Sequence, residues 1–295
     1  MYYNPYEGIT APDAKWQKMQ MHAHAGVLRE HYCGIYPTAY VVEAYKNAGY
    51  DGIAITNHDL YMPYNMKRED ISLIDGVEYS LSYHTLLYGV NRYQYEGMTH
   101  QEIIDYTLSQ GGFVVIAHPD YKGYDYWPIE DMEKLTGYVG VEVIRAPMDS
   151  PGEFNGAAGF TIGKWDHLLT KGRQVYAFGN DDFHTWKRLN KAWNMVYAKS
   201  AGFKDIKEAV EAGRFYATTG AELDSFGFDG KRITVKAKPD GTYTYRFIGS
   251  GGKLLGEVKG EAATHEVNPD EIYVRTEVIN QDQQIMFLQP VFRNV

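Results

Sequence analysis

The chain has one cysteine, Cys33, among 295 residues, so no intrachain disulfide forms, and the lone thiol says little about compartment. It has no run of about 18 apolar residues. The N-terminal MYYNPYEGITAPDAKWQK has no basic segment leading into an apolar one. The expectation is a cytoplasmic protein with neither signal peptide nor membrane span. Positive charge is in deficit, 29 Lys and Arg against 38 Asp and Glu, and the formal net charge of −9 argues against a broad surface for extended nucleic acid. G-x-x-x-x-G-K-[ST], G-x-G-x-x-G and G-x-S-x-G are all absent, which leaves nucleoside-triphosphate, dinucleotide and serine-hydrolase chemistry without a signature. With 44% hydrophobic and 23% charged residues, the chain is of ordinary globular composition, long enough for one large domain or a large and a small one.

What the chain does have is a repetition. Five apolar, strand-like runs end in histidine or acid: KMQMHAH with His22 and His24, GIAITNHD with His58 and Asp59, GFVVIAHPD with His118 and Asp120, YVGVEV with Glu142, and QVYAFGNDDFH with Asp182 and His184. Between them, IDGVEYSLSYHTLLYGV adds Glu78 and His84. A lone His or Asp past a strand is usually a turn former. Many together at strand ends are costly to desolvate unless a cation compensates them, and imidazole with carboxylate is the ligand set of Zn, Mn and Fe. If the strands run parallel, these groups gather at one mouth and bind metal there.

Strand-like runs alternate with helix-like ones over the first two-thirds. PTAYVVEAYKNAGY has Pro37 to start a helix and Gly49 to end it, THQEIIDYTLSQGG has Thr99 with Glu102 three residues on, and GKWDHLLTKGR precedes QVYAF. Such alternation implies parallel strands with crossover helices, and ligands at many successive strand ends favour a closed barrel over an open sheet. Residues 60–70, with Lys67 and Arg68, and 145–163 break the pattern and read as loops over the mouth or as surface insertions. From about residue 220 the texture changes to short alternating segments, KRITVKAK, GTYTYRFIGS, EIYVRTEVIN and IMFLQPVF, separated by turns. The expected division is a hydrolase barrel over 1–220 and a small antiparallel β domain over 221–295, in which His265 stands alone as a surface residue. FKDIKEAVEAGRFYATTG joins the two parts.

The order H-x-H, T-N-H-D, G-V-E, a following His, A-H-P, G-x-E and D-x-H resembles the PHP (polymerase and histidinol phosphatase) superfamily of metal-dependent phosphoesterases, over residues 18 to 200. The resemblance implies a distorted (β/α)7 barrel with two or three divalent ions at its C-terminal mouth. It places His22, His24, His58, Glu78, His84, His118, Asp182 and His184 at ligand positions, with Glu78 bridging two ions. EAGRFYATTGAELDSF and the LQPVF ending also look like the branch that includes carbaryl-hydrolase-like metallohydrolases. Two departures stand out. The position of a common Asp ligand falls on Cys33, so that His31 or Cys33 either supplies a ligand or leaves the third ion out. In T-N-H, Asn57 replaces a usual carboxylate. Glu142 is a further candidate ligand or a supporting acid, while Asp59, Asp120 and Asp181 read as supporting or solvated acids.

The function implied is hydrolysis of a small-molecule or nucleotide phosphoester by a metal-activated hydroxide. Arg145, Lys187 and Arg188, close in sequence to the ligand positions, are the candidate bases for the substrate phosphate. Hydrolysis of carboxylic or carbamate esters is the alternative chemistry, since the same nucleophile attacks a carbonyl. A catalytically silent metal-binding module is the alternative outside enzymes.

Overall fold

A computed structural model describes residues 2–26, 34–61, 68–80, 82–90, 97–121, 126–146 and 159–293. His31, Cys33, Lys67 and residues 62–67 and 147–158 of the two irregular segments lie outside them.

The site-bearing strands are β2 (Lys15–Ala23), β3 (Gly52–Ile55), β4 (Ser72–Tyr79), β5 (Thr85–Tyr88), β6 (Phe113–Ile116), β7 (Gly140–Arg145) and β9 (Tyr176–Asn180), which follow a short β1 (Tyr2–Tyr3) and bracket a short β8 (Gly159–Phe160). They pair in the order β2-β3-β4-β5-β6-β7, with β9 also on β7. Pairs β2–β3, β3–β4, β6–β7 and β7–β9 are parallel. β5 is antiparallel to both neighbours, so parallel order throughout does not hold. Past β9, Phe183 makes an isolated parallel bridge to Ala23: His24 N–H donates to Phe183 O at 2.9 Å and Phe183 N–H to His22 O at 3.3 Å. Among the described residues, the return to β2 is this one bridge and not a ladder.

The helices α1 (Thr38–Asn47), α2 (His100–Ser109), α3 (Ile129–Lys134) and α4 (Ile162–Thr170) connect these strands. Each buries a stripe at helical spacing: Val41, Val42 and Tyr45 in α1, Ile103, Ile104 and Thr107 in α2. Pro37 and Gly49 bound α1, with Gly49 at φ +80°, and Thr99 and Glu102 close both halves of a capping box on α2.

The ladder then continues through β10 (Trp193–Ala198), antiparallel to β2, and, after α5 (Phe203–Glu211), β11 (Phe215–Thr218). Beyond residue 220 come β12 (Glu222–Phe228), β13 (Arg232–Lys238), β14 (Tyr243–Gly249), β15 (Lys253–Gly260), β16 (Ala262–Glu266), β17 (Tyr273–Ile279) and β18 (Ile285–Arg293), all antiparallel. β18 pairs with β11, so hydrogen bonding runs from the first region into the second, while β12, β13 and β16 form a separate sheet. Ile233, Val235, Tyr245, Phe247 and Val278 share a core there. His265 is half-buried and stacked on Phe247 at 4.7 Å, not a solvated surface residue. Among the described residues no helix is long and apolar enough to cross a membrane.

Candidate metal centre

His22 and His24 sit two residues apart at the end of β2 and share a face. A register shift inserts one extra residue in β2 between Gln20 and Ala23, opposite Ile53 and Ile55. Met19 and Met21 pack with Ala54, Leu86 and Tyr88, whereas Ala23 and Ala25 pack against α1. The bulge thus changes which residues point inward where the imidazoles begin. A second shift lies just after Glu142 in β7. His118, Asp182 and Asp59, each just past a strand, have φ of +25°, +46° and +53°. For non-glycine residues this costs on the order of 1–3 kcal/mol each, which their surroundings must impose. His84 precedes β5, yet because β5 is antiparallel its N-terminal end reaches the edge where the parallel strands finish.

Glu78 is the centre of the cluster. Its Oε2 lies 3.2 Å from His22 Nε2, 3.2 Å from His24 Nε2 and 3.1 Å from His58 Nδ1. Its Oε1 lies 2.7 Å from His84 Nδ1 and 3.0 Å from His118 Nε2. Asp182 Oδ1 is 3.3 Å from His22 Nε2, 3.2 Å from His24 Nε2 and 3.5 Å from His184 Nδ1, and the two Nε2 atoms are 3.1 Å apart. The donors form four overlapping groups: His22, His24, Glu78 and Asp182; His58, Glu78 and His84; His24, His58 and His184; and His22, His118 and Glu142.

These donors fit divalent ions. An ion about 2.0–2.2 Å from each ligand holds neighbouring ligands about 3.1–3.5 Å apart, the spacing found among His22, His24, Glu78 and Asp182. Among the described residues, Glu78 Oε2, His58 Nδ1 and His84 Nδ1 are buried without a hydrogen-bond partner, although each meets the distance of an ion pair. They converge on common points instead of on one another.

Electrostatics agree. Burial disfavours charge on Glu78 and Asp182, yet the surrounding imidazoles, with Arg188 at Asp182, hold both well below the usual carboxylate range. Burial pushes His58 down to about 3 and His184 to about 4. Burial opposes a proton on His22 too, but Glu142, Glu78 and Asp182 outweigh it and raise the imidazole to about 10. A proton held so tightly among three carboxylates marks a place where a cation is stabilised and which a metal ion can take over.

All eight expected ligands converge, and so does Glu142. Glu142 is buried, with Oε1 2.8 Å from His22 Nδ1 and Oε2 accepting from the His118 backbone N–H at 2.9 Å, so it orients the His22 imidazole from behind and fixes the backbone that carries His118. Arg145 is buried, with Nη1 3.6 Å from Asp182 Oδ2 and, among the described residues, no hydrogen-bond partner at that nitrogen. Arg188 donates from Nη1 to Asp182 O at 2.7 Å and to Oδ2 at 3.0 Å. Lys187 is exposed, and among the described residues no contact joins it to the cluster. Arg68 pairs with Asp70 and Glu43 at the surface.

The supporting acids divide. Asp181 accepts from Tyr45 Oη and from Asn190, Lys191 and Ala192 N–H, which folds the turn carrying Arg188. Asp59 binds Ser80, and Asp120 pairs with Lys164 at 2.7 Å. Asn57 donates to Ala25 O at 2.7 Å and accepts Ala25 N–H at 3.0 Å, a two-way grip on the chain after His24 that an ionised carboxylate lacks the donor to make. Gly34 packs against the same residue, where a Cβ would lie 2.5 Å from the Ala25 carbonyl carbon.

Sequence reasoning missed Gln20 and Asn180. Gln20 Oε1 accepts from His22 and Asp181 N–H, and Asn180 donates to Glu142 Oε1 at 2.7 Å while accepting Met21 N–H. Their signal was there: each is a polar residue two positions before a ligand, inside an apolar run. Tyr121 and Tyr126, whose rings lie against His84 and His118, carried no such signal.

No protein-family model matches the chain, and no curated protein matches it. Among solved structures it is similar to a two-domain protein from Bacteroides vulgatus ATCC 8482, described as containing a predicted PHP-like metal-dependent phosphoesterase. The TM-score is 0.55 and the identity 16%, over 91% of this chain and 92% of the other. The two share a fold.

Proposed function

We propose that this protein is a metal-dependent phosphoesterase that binds two or three divalent ions, Zn, Mn or Fe, at the mouth of a distorted (β/α)7 barrel spanning residues 1–220, with residues 221–295 as a small β domain. The observation that carries this reading is the convergence of six imidazoles on the carboxylates of Glu78 and Asp182 at ligand spacing.

His22, His24, Glu78 and Asp182 would hold one ion. Glu78 would also serve a second ion, held with His58 at its Oε2 and with His84 and His118 at its Oε1, and His184 would complete the set on the Asp182 side. Such ions lower the pKa of bound water toward neutrality and polarise a phosphoryl oxygen. Glu142 would hold the His22 imidazole, and the backbone of His118, in place for ligation. Arg145 brings a buried guanidinium, whose Nη1 has no hydrogen-bond partner among the described residues, to the rim of the cluster, and Arg188 stands on the same carboxylate; together they would supply the cationic side for phosphate oxygens. The side chains of His58, His84 and His184 are 28%, 19% and 28% exposed while those of His22, His24 and Glu78 are fully buried, so substrate would approach from the side of those three. The substrate is a small phosphoester, in keeping with the acidic balance of the chain.

Elemental analysis of the purified protein, joined to turnover of a phosphoester panel with added Mn, Zn or Fe, tests the reading. Bound metal with phosphoester turnover supports it, and a metal-free protein inert under every loading overturns it.

A further inference from the structure

Beyond the ligands, aromatic rings stand against one side of the centre. Tyr121 lies 5.0 Å from the ring of His118 and 6.4 Å from that of His84, and Tyr126 lies 5.8 Å and 5.4 Å from the same rings. The two tyrosines are 5.4 Å apart. Both are half-buried, unlike the fully buried Tyr88, so each keeps part of its surface toward solvent beside the partly exposed His84. Tyr126 is pinned, since its hydroxyl donates to Ser82 O at 3.0 Å and Tyr83 packs edge-on against its ring. Tyr121 carries the Arg145 guanidinium 5.1 Å from its ring centre.

The site therefore has two unlike ends that meet at Arg145. Toward Asp182 stand the guanidiniums of Arg145 and Arg188, and toward His84 and His118 stand two rings. We infer that the organic group of the substrate is flat and unsaturated, an aryl or heteroaryl group, and stacks on Tyr121 and Tyr126 while its phosphate faces Arg145 and Arg188. This rests on the phosphoester reading of the same site. A flat π-system gains offset or edge contact with such rings that a puckered ring of equal size does not. Burial of apolar area alone would not favour the flat ring, because a saturated ring is at least as hydrophobic.

The test is calorimetric binding of three probes to the metal-loaded protein: inorganic phosphate, phenylphosphonate and cyclohexylphosphonate. None has a leaving group to be displaced, so intrinsic reactivity does not enter. The expected result is that all three bind, with phenylphosphonate about fivefold or more tighter than cyclohexylphosphonate. Tyr121→Leu and Tyr126→Leu should erase that preference with metal content and phosphate affinity unchanged, while Tyr121→Phe and Tyr126→Phe keep it. Equal affinity of the two phosphonates with phosphate still bound, or a preference that survives both leucine variants, overturns the shelf and leaves the phosphoesterase reading standing. Failure of all three probes to bind overturns that reading and the inference together.

Discussion

His118 Nε2 lies 3.0 Å from Glu78 Oε1, although 40 residues separate them in the chain. The contact exists because His118 takes a left-handed turn past β6 while Glu78, on β4, presents its other oxygen to His22, His24 and His58. One carboxylate thus faces two sets of imidazoles. Glu78→Ala and His118→Ala are expected to lower kcat/KM by more than the roughly 10–100-fold that loss of a supporting partner causes. Glu78→Ala should also lose metal in elemental analysis, with far-ultraviolet circular dichroism unchanged. Full activity in both variants would sink the assignment.

Stripping the ions should weaken the fold as well as stop turnover. Without the proposed ions, the buried carboxylates Glu78, Asp182 and Glu142 share the protonated imidazole of His22. At free metal near a thousand times Kd, binding adds about 4 kcal/mol, which for a chain of this size is a Tm shift on the order of 10 °C. Calorimetric scans before and after chelation, and after restoring Zn or Mn, measure it. An unchanged Tm would argue that no ion occupies the centre.

Asn57 tests the grip on Ala25. Asn57→Asp replaces the donor to Ala25 O with an acceptor 2.7 Å from a carbonyl oxygen in a buried place, so the expected cost is about 2–3 kcal/mol at neutral pH. Urea unfolding reads it directly. A loss below about 0.5 kcal/mol would mean that the chain after His24 is held by other contacts.

Arg275, 2% exposed, donates from Nε and Nη2 to both oxygens of Asp166 at 2.7 and 2.8 Å, and from Nη1 to Glu277 at 2.6 Å. Tyr273 also donates to Asp166 at 2.8 Å, so this network ties α4 to β17. Arg275→Met alone should cost about 3–5 kcal/mol by leaving buried carboxylates unpaired, and Asp166→Leu added to it should recover part of the loss. Strict additivity of the two changes would contradict the coupling.

His100 has a pH signature. Burial lowers its imidazole to about 4, and His84 nearby adds to the effect, while its ring contacts Ser82, Thr85 and Trp127. The unfolded chain takes the proton first, near 6.5, so the stability tied to the neutral ring is complete above that pH and is lost as pH falls toward 4. With partial contact to solvent this amounts to about 1–2 kcal/mol. Unfolding at pH 7 and at pH 4.5 should show a smaller difference in His100→Gln than in the parent, and the ring should titrate near 4 by NMR. A ring titrating at 6.5 would contradict the burial argument.

What the amino-acid sequence determined by itself is local. The Thr99–Glu102 box, the Pro37 and Gly49 bounds of α1, the apolar runs and the ligand types at their ends depend on residues within one turn or one strand of each other, and all of these were legible. Tertiary structure alone decided the reversal of β5, the bulge in β2, the turn at His118, the placement of Arg145 and Arg188 beside Asp182, and the tyrosines beside His84. Each of those follows from strand register and from loops meeting across tens of residues. Such pairings are selected by the free energy of the whole packed chain, so no local pattern carries them.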